Sequence, residues 1–363
     1  MAGFSGYLTC CVRNWFHGSC CAGRCIPRSG CDASNHCASG RHVTFLGACA
    51  VLSVQRGRDV TRVVRVGLPL DLADFEKRRF RLDRPEWREV LEGHAAHFLR
   101  GFNIAVRQWR DPHSALGALP VEERGFAYEG AAMHAAVRDV LTAGRAHARA
   151  RLLAGPGQDY THLIHVGCGW ALVPLRVPLP VPIPPTPLLR WLALDGAGFA
   201  ETYFGGLAAL RRRCRAGPSL RWQSRVAGCG RALWFAESAD ADGVAAVIAE
   251  APAPARPHLW SGIGLASCYA GCADESALDA LRAASGPHAA HYGQGALFAI
   301  AARQRSGVVP EHTRRAAEHL FGADPTEAAG WTDEAAVGLV SSTDIAAYGE
   351  WKARLRRVAE QRC

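Results

Sequence analysis

Apolar residues recur at helical spacing in the first half of the chain. The stretch "PEWREVLEGHAAHFLRGFNIAVRQW" (residues 85–109) carries one apolar face, which indicates an amphipathic helix. A second helix is predicted over residues 125–155, where Gly155 and Pro156 supply a stop. The stretch "YTHLIHVGCGWALVPL" (160–175) is apolar on nearly every side and fits a buried helix or a strand. Its small residues favour a closely packed helix.

Two kinds of segment alternate after residue 188. Amphipathic segments that begin with polar residues, such as "ADADGVAAVIAEAP" and "DESALDALRAAS", are followed by segments rich in small residues, such as "LWSGIGLASCYAG" and "AHYGQGALFAIAARQRSG". Each unit has about 33 residues, which accommodates two helices of about 12 residues and two short connections. The pattern therefore predicts an all-α fold of antiparallel helix pairs that form an α-solenoid-like helical-repeat array.

Glycine doublets with one intervening residue mark the small-residue segments. They begin at Gly167, Gly196, Gly228, Gly262 and Gly293, at intervals of 29, 32, 34 and 31 residues. A dinucleotide-binding loop would need a third glycine and would not recur evenly along the chain. Glycine inside a helix costs roughly 0.5–1 kcal/mol relative to alanine. We therefore interpret the doublets as sites where neighbouring helices approach closely, and a ligand-contacting loop is the alternative.

The proline-rich run "PLRVPLPVPIPPTP" (174–187) divides the chain into parts. Closely spaced prolines exclude a continuous helix and favour an extended, polyproline-like linker. The sequence thus predicts an N-terminal helical part over residues 63–173, a linker over 174–187 and a helical-repeat part over 188–363. Residues 1–62 are expected to form a poorly ordered extension, encoded upstream of a true start near Val63.

Charge and cysteine are concentrated in that extension. The net charge is +9, and the first 66 residues contain eight arginines against two aspartates. The remainder is nearly balanced and has no basic stripe with interleaved aromatic residues, so nucleic-acid binding is not expected. Eight of the 14 cysteines lie in the first 49 residues, without zinc-finger spacing; a zinc module or a disulfide cluster remains the alternative there. No apolar run is long enough to span a membrane, and we expect a cytoplasmic protein.

Few residues stand out as candidates for chemistry. Glu129 lies in the apolar stretch "RGFAYEGAAM", where burial would raise its pKa and suit it to acid or base catalysis; an ion pair with Arg124 or another arginine is the structural alternative. His165 is three residues from His162, but no metal-binding motif accompanies them. Asp195 precedes a glycine and could cap a helix. No cofactor or metal site is predicted.

Six sequence blocks together resemble a known family. They are "RGFAYEGAAM", "HVGCGWAL", "LLRWLALDGAGFAETYF", "GRALWF", "LWSGIGLASCYAG" and "YGQGALFAIAAR". In this order they resemble the enediyne-biosynthesis accessory proteins that carry the domain of unknown function numbered 1702. The likeness runs from about Phe75 to Trp351 and implies a pathway, in which an iterative polyketide synthase makes a polyene precursor, but no particular reaction.

The resemblance implies one of two functions. The protein binds the apolar polyene or the synthase without catalysis, or it is an enzyme that modifies the polyene with Glu129, His165 and Asp195 as its polar groups. In either case the ligand would be apolar, with candidate lining residues in or beside the similar blocks. These are Tyr128, Trp170, Trp191, Phe199, Trp234, Trp260 and Tyr292.

Overall fold

The computed structural model describes residues 67–175 and 186–362. The expectations for residues 1–62, and for most of the predicted linker, lie outside these ranges. Within them the protein is helical and contains no strand, so the predicted all-α fold is confirmed. The α-helices are α1 (Phe75–Arg78), α2 (Pro85–Gln108), α3 (His113–Gly117), α4 (Arg124–Leu141), α5 (Ala148–Leu153), α6 (Thr161–Trp170), α7 (Leu172–Leu175), α8 (Leu192–Cys214), α9 (Leu220–Ala236), α10 (Ala241–Glu250), α11 (Arg256–Tyr269), α12 (Glu275–Ser285), α13 (Ala289–Arg305), α14 (Glu311–Phe321), α15 (Pro325–Ala336) and α16 (Ile345–Arg362). Short 3₁₀ helices occupy Leu70–Ala73, Val121–Glu123, Gly155–Tyr160, Leu188–Trp191 and Gly286–His288.

Several helices begin at a polar cap. Ser219, Asp240, Asp274 and Asp324 each accept a hydrogen bond from a backbone amide in the first turn of α9, α10, α12 and α15. These side chains satisfy amides that have no partner within the helix. The polar starts of the repeating segments are therefore helix caps.

Within the described ranges, α2, α4, α6, α8, α9, α11 and α13 form a row in which each helix packs against the next. Rings at the beginnings of neighbouring helices meet: Trp222 and His258 are 5.7 Å apart, and His258 and His291 are 5.9 Å apart. Residues near helix ends meet as well, since the Arg303 guanidinium lies 4.0 Å from the Tyr269 ring. Neighbours in the row therefore run parallel. Shorter helices such as α10 and α12 return the chain between them.

The glycine doublets lie where the helices of this row touch. A Cβ atom on nine of these glycines would overlap a backbone carbonyl oxygen of an adjacent helix. In α9, for example, Gly228 faces Asp195 of the preceding helix, and Gly230 faces Leu259 of the following one. The two glycines of such a doublet thus pack against the two neighbouring helices of the row, which confirms the packing role of the doublets. The glycines concerned are Gly167, Gly169, Gly196, Gly198, Gly228, Gly230, Gly262, Gly264 and Gly295.

The backbone breaks inside α8 at Gly206. Its φ of 62° and ψ of −166° fall in a region that is essentially restricted to glycine. The residues before this position belong to the row. The break lets the residues after it form the return toward α9.

The helices on either side of residues 176–185 contact each other directly, because Gly169 of α6 packs on the Ala193 carbonyl of α8. Residues 67–363 accordingly group into one compact unit. Pro174, the first residue of the predicted extended run, lies instead in the helical turn α7. A proline in the first turn of a helix removes no intrahelical hydrogen bond.

The row curls back on itself. Arg303 near the end of α13 donates a hydrogen bond to the Glu122 carbonyl, just before α4, at 2.8 Å. The rings of Tyr269 at the end of α11 and Phe126 at the beginning of α4 are 5.3 Å apart. Side chains from non-consecutive helices therefore meet in the interior. None of the helices described is both long and apolar enough to cross a membrane.

Candidate functional site

Three charged side chains meet in the interior, and we call them the central ion cluster: Glu129 of α4, Asp195 of α8 and Arg231 of α9. They are 2%, 6% and 5% exposed. Arg231 Nη1 donates a hydrogen bond to Asp195 Oδ1, and its Nη2 lies 3.6 Å from Glu129 Oε1. Trp170 of α6 donates from Nε1 to the same Glu129 oxygen at 2.9 Å. Four helices of the row thus contribute to one polar site.

The glycine contacts explain why these side chains converge. Glu129 and Asp195 each precede a glycine that packs on a neighbouring backbone, and Arg231 follows one. Because the backbones approach closely there, side chains beside the contact are held near those of the adjacent helices. The repeat that positions the helices therefore also positions the cluster.

The central ion cluster has two carboxylates and one guanidinium. Burial raises the pKa of Glu129, and the negative charge of Asp195 raises it further, whereas Arg231 and the hydrogen bond from Trp170 act in the opposite direction. Glu129 is therefore a proton-accepting group of the cluster. A buried carboxyl group that holds a proton can donate a hydrogen bond or act as a general acid.

An apolar pocket adjoins the cluster, and we call it the central pocket. Its cavity has a volume of about 40 Å³, so in this state it holds no more than one or two water-sized molecules. Aromatic rings dominate its wall, and its polar groups are Glu129, Arg231 and His94. The lining residues are Leu72, His94, Ala95, Phe98, Leu99, Phe126, Glu129, Trp170, Phe199, Tyr203, Phe204, Arg231 and Phe235.

His94 lines both the central pocket and a second, wider cleft of about 350 Å³. Its Nε2 donates to the Ala270 carbonyl at 3.1 Å, and its Nδ1 lies 2.9 Å from both Glu123 carboxylate oxygens. The imidazole also stacks on Phe126 at 4.3 Å. With both nitrogens engaged, His94 is held as part of the wall.

The structure brings two of the three candidate catalytic residues together. Glu129 and Asp195 both contact Arg231. His165 does not join them, because its Nε2 is paired with Thr186 Oγ1 at 2.9 Å, and burial lowers its pKa to about 4. Asp195 lies within the first turn of α8 and pairs with Arg231, so the helix-capping role considered for it is wrong.

Two of the seven candidate lining aromatics, Trp170 and Phe199, face the central pocket. The other five are buried elsewhere. Among them, Tyr128 stacks on Tyr160 at 4.2 Å, and Trp234 donates to the Gly271 carbonyl at 3.1 Å. The remaining three, which do not line the pocket, are Trp191, Trp260 and Tyr292.

Sequence reasoning missed Arg231, the residue that joins the two carboxylates. The sequence indicated Arg124 or another arginine as the partner of Glu129; Arg124 Nε donates to the Leu119 carbonyl, and the partner is Arg231. The sequence feature that could have identified Arg231 is its position directly after a glycine doublet. The residues that follow three successive doublets are Trp170, Phe199 and Arg231, and all three line the central pocket.

The buried cysteines offer no nucleophile. Cys168, Cys229 and Cys268 are at most 2% exposed, and burial raises the thiol pKa of Cys168 to about 12. A thiol that stays protonated is unreactive. Among the described residues, no group of histidine, cysteine, aspartate and glutamate side chains has a geometry that could hold a metal ion.

Comparison with known proteins gives one match. The chain matches the model of a family described as a protein of unknown function, DUF1702, over residues 60–359. It matches no curated protein and no solved structure. The match covers the whole row of helices and the central pocket.

Proposed function

This chain belongs to the DUF1702 family, and we propose that it is an accessory protein of enediyne biosynthesis that binds the apolar polyene intermediate in the central pocket. The pathway rests on the six sequence blocks that resemble enediyne accessory proteins. The observation that carries the ligand class is the pocket wall, which is aromatic or aliphatic apart from three polar side chains. Such a wall favours a ligand with little charge.

Aromatic rings supply the surface on which a conjugated chain could lie. The rings of Phe98 and Phe199 lie 4.2 and 5.0 Å from that of Trp170, so the three rings pack against one another in the pocket wall. A conjugated polyene is planar and can lie against ring faces. The Arg231 guanidinium, 5.0 Å from the Phe199 ring, adds a cation beside the electron-rich chain.

Binding requires the pocket to open. A cavity of about 40 Å³ is smaller than any polyene, so lining side chains must move first. Leu72 and Phe204 are suited to this: Leu72 belongs to a 3₁₀ turn held to α8 by a hydrogen bond of 3.3 Å from Tyr203, and Phe204 is half-buried. The proposal therefore includes displacement of these side chains as the ligand enters.

The binding proposal can be tested by titrating the purified protein with a linear conjugated polyene hydrocarbon while following tryptophan fluorescence. We expect saturable quenching with a Kd of about 1 μM or tighter, equivalent to roughly 8 kcal/mol. Ala95→Trp fills the pocket and should weaken binding at least tenfold. Ala96→Trp is the matched control, since Ala96 is equally half-buried on α2 but does not line the pocket. Absence of saturation, or equal affinity of the two variants, would refute binding in this pocket.

A second function, modification of the polyene, is favoured by the raised pKa of Glu129. A carboxyl group that holds a proton beside an apolar ligand can donate it as the ligand reacts. In a strain whose gene is deleted, complementation with Glu129→Gln separates the two functions. A catalyst that uses Glu129 should lose about 10²- to 10⁴-fold in rate, whereas a binding protein should restore enediyne output if the variant folds.

Two further expectations belong to this proposal. Direct binding to the polyketide synthase would be an alternative route to the same accessory role, and co-purification of the two proteins tests it. The cytoplasmic location expected from the sequence also stays a prediction.

A further inference from the structure

Five basic side chains gather away from the central pocket, and we call them the basic cluster: His258, His288, His291, Lys352 and Arg356. His258 and His291 are the third residues of α11 and α13, and their rings are 5.9 Å apart. His288 lies 6.2 Å from His291. Lys352 and Arg356 come from one face of α16, four residues apart.

Lys352 has no direct counter-ion in the cluster, and the carboxylates of Glu350 and Glu360 act on Arg356 instead. Lys352 is only 8% exposed, yet it forms no hydrogen bond or ion pair with any residue in the described ranges; its ammonium lies 5.8 Å from the Tyr348 ring. Asp195 is the one carboxylate that raises its pKa, and Asp195 is itself bound to Arg231. A buried ammonium without a direct counter-ion is unfavourable.

Burial, followed by repulsion between the basic groups, lowers the pKa values of the cluster. Burial, Lys352 and Arg356 lower the pKa of His258 to about 2 and that of His291 to about 3. Burial and Arg356 lower the pKa of Lys352 to about 8, and burial and Arg256 lower that of His288. The arrangement resists further positive charge, as expected where an anion would be the stabilising partner.

Helix ends add to the positive potential. α9, α11 and α13 run parallel, and their beginnings meet at Trp222, His258 and His291. None of the three has an acidic residue in its first turn. The positive ends of three helix dipoles thus face the cluster without a carboxylate from these turns to offset them.

We propose that the basic cluster is a binding site for a compact oxyanion, a carboxylate or phosphate group, held between Lys352 and the imidazoles of His258 and His291. Lys352 supplies up to three N–H donors. Each neutral imidazole already carries one N–H that can donate, and His258, His288, His291 and Arg356 are half-buried. None of the five residues lines the central pocket, and the proposal does not depend on the function proposed for that pocket.

NMR of the imidazole groups of the full-length protein tests the proposal, with inorganic phosphate and acetate as probes and chloride as the reference salt. We expect saturable shifts of the His258 and His291 signals with a Kd of about 1 to 10 mM. Their apparent pKa values should rise, because the bound anion stabilises the protonated rings. The probe that binds more tightly identifies the preferred oxyanion. The signal of His319, which is paired with Asp279 on the surface, should not shift.

Substitution of the two lysines of the described chain gives a matched comparison. Lys352→Met should weaken binding of the better probe at least tenfold, whereas Lys77→Met, which alters an exposed lysine paired with Asp71, should not. If Lys352→Met fails to fold, Arg356→Gln replaces it with the neighbouring Arg357→Gln as control. No saturable shift in the parent protein with either probe, or equal binding by Lys352→Met and parent, would overturn the proposal. Ala95→Trp should leave oxyanion binding unchanged. A failure of the oxyanion site can therefore be distinguished from a failure of polyene binding in the central pocket.

Discussion

Glu129 and Arg231 come from non-adjacent helices, α4 and α9, and meet in the interior with Glu129 Oε1 3.6 Å from Arg231 Nη2. Arg231 is also the partner of Asp195, so one guanidinium contacts two buried carboxyl groups. The pair therefore links the curled row across its centre. It also places a proton-accepting group at the wall of an apolar pocket.

Loss of the guanidinium should be costly. Arg231→Met leaves two carboxylates buried without their cation, and we expect a loss of about 3–5 kcal/mol in the free energy of unfolding. Urea denaturation measures it. Asp195→Asn together with Arg231→Met should recover part of that loss, because one uncompensated charge is removed. An unchanged midpoint for the single variant would mean that the cluster contributes no stability.

The raised pKa of Glu129 predicts a pH dependence. The folded state holds this proton more tightly than the unfolded chain, in which the glutamate has its ordinary pKa of 4.5, so the stabilisation is complete below that pH. It is lost as pH rises through the folded-state pKa. Glu129→Gln cannot ionise, so the stability of the parent relative to this variant should fall with rising pH above about 4.5. Denaturation of both proteins from about pH 4 to about pH 9 makes the comparison; a difference that does not change with pH contradicts it.

The packing role of the doublets predicts opposite effects at two glycines. A Cβ at Gly262 would overlap the Ala227 carbonyl of α9, whereas one at Gly330 in α15 would meet nothing within 4 Å. Gly262→Ala should therefore destabilise the protein by about 1–3 kcal/mol through overpacking. Gly330→Ala should stabilise it by about 0.5–1 kcal/mol, the helix-propensity difference. Thermal melts of the two variants check the signs.

The sequence allowed the helical fold and the function of the glycines to be predicted, because both depend on local spacing. The repeat period predicts that a glycine such as Gly230 lies on a helix face. Close packing against the neighbouring helix is enough to explain a doublet on that face. The parallel course of the row and its curl depend on crossing geometry, which spacing does not specify. Which arginine pairs with Glu129 depends on that curl, which brings Arg231 to it.

The candidate site was predictable only in part for the same reason. Glu129 and Asp195 were found as polar residues in apolar blocks, but so was His165, whose contact with Thr186 depends on how the chain continues after α7. The candidate aromatic residues of the blocks are all buried, and composition does not tell a pocket wall from ordinary core. Trp170 faces the pocket and Trp234 does not, although both follow similar small-residue segments.

The narrow cavity predicts that opening of the pocket limits ligand entry. If Phe204 closes the mouth, Phe204→Ala should lower the free energy of opening and raise the association rate of the polyene probe, because the binding-competent fraction increases. The dissociation rate should rise as well, since the same ring retains the bound ligand. Phe298→Ala is the control: Phe298 is also half-buried but packs on Trp351 at 4.7 Å, outside the pocket. Stopped-flow tryptophan fluorescence gives both rates. If Phe204→Ala and Phe298→Ala associate with the probe at the same rate, Phe204 is not the gate, whatever the affinity of the pocket.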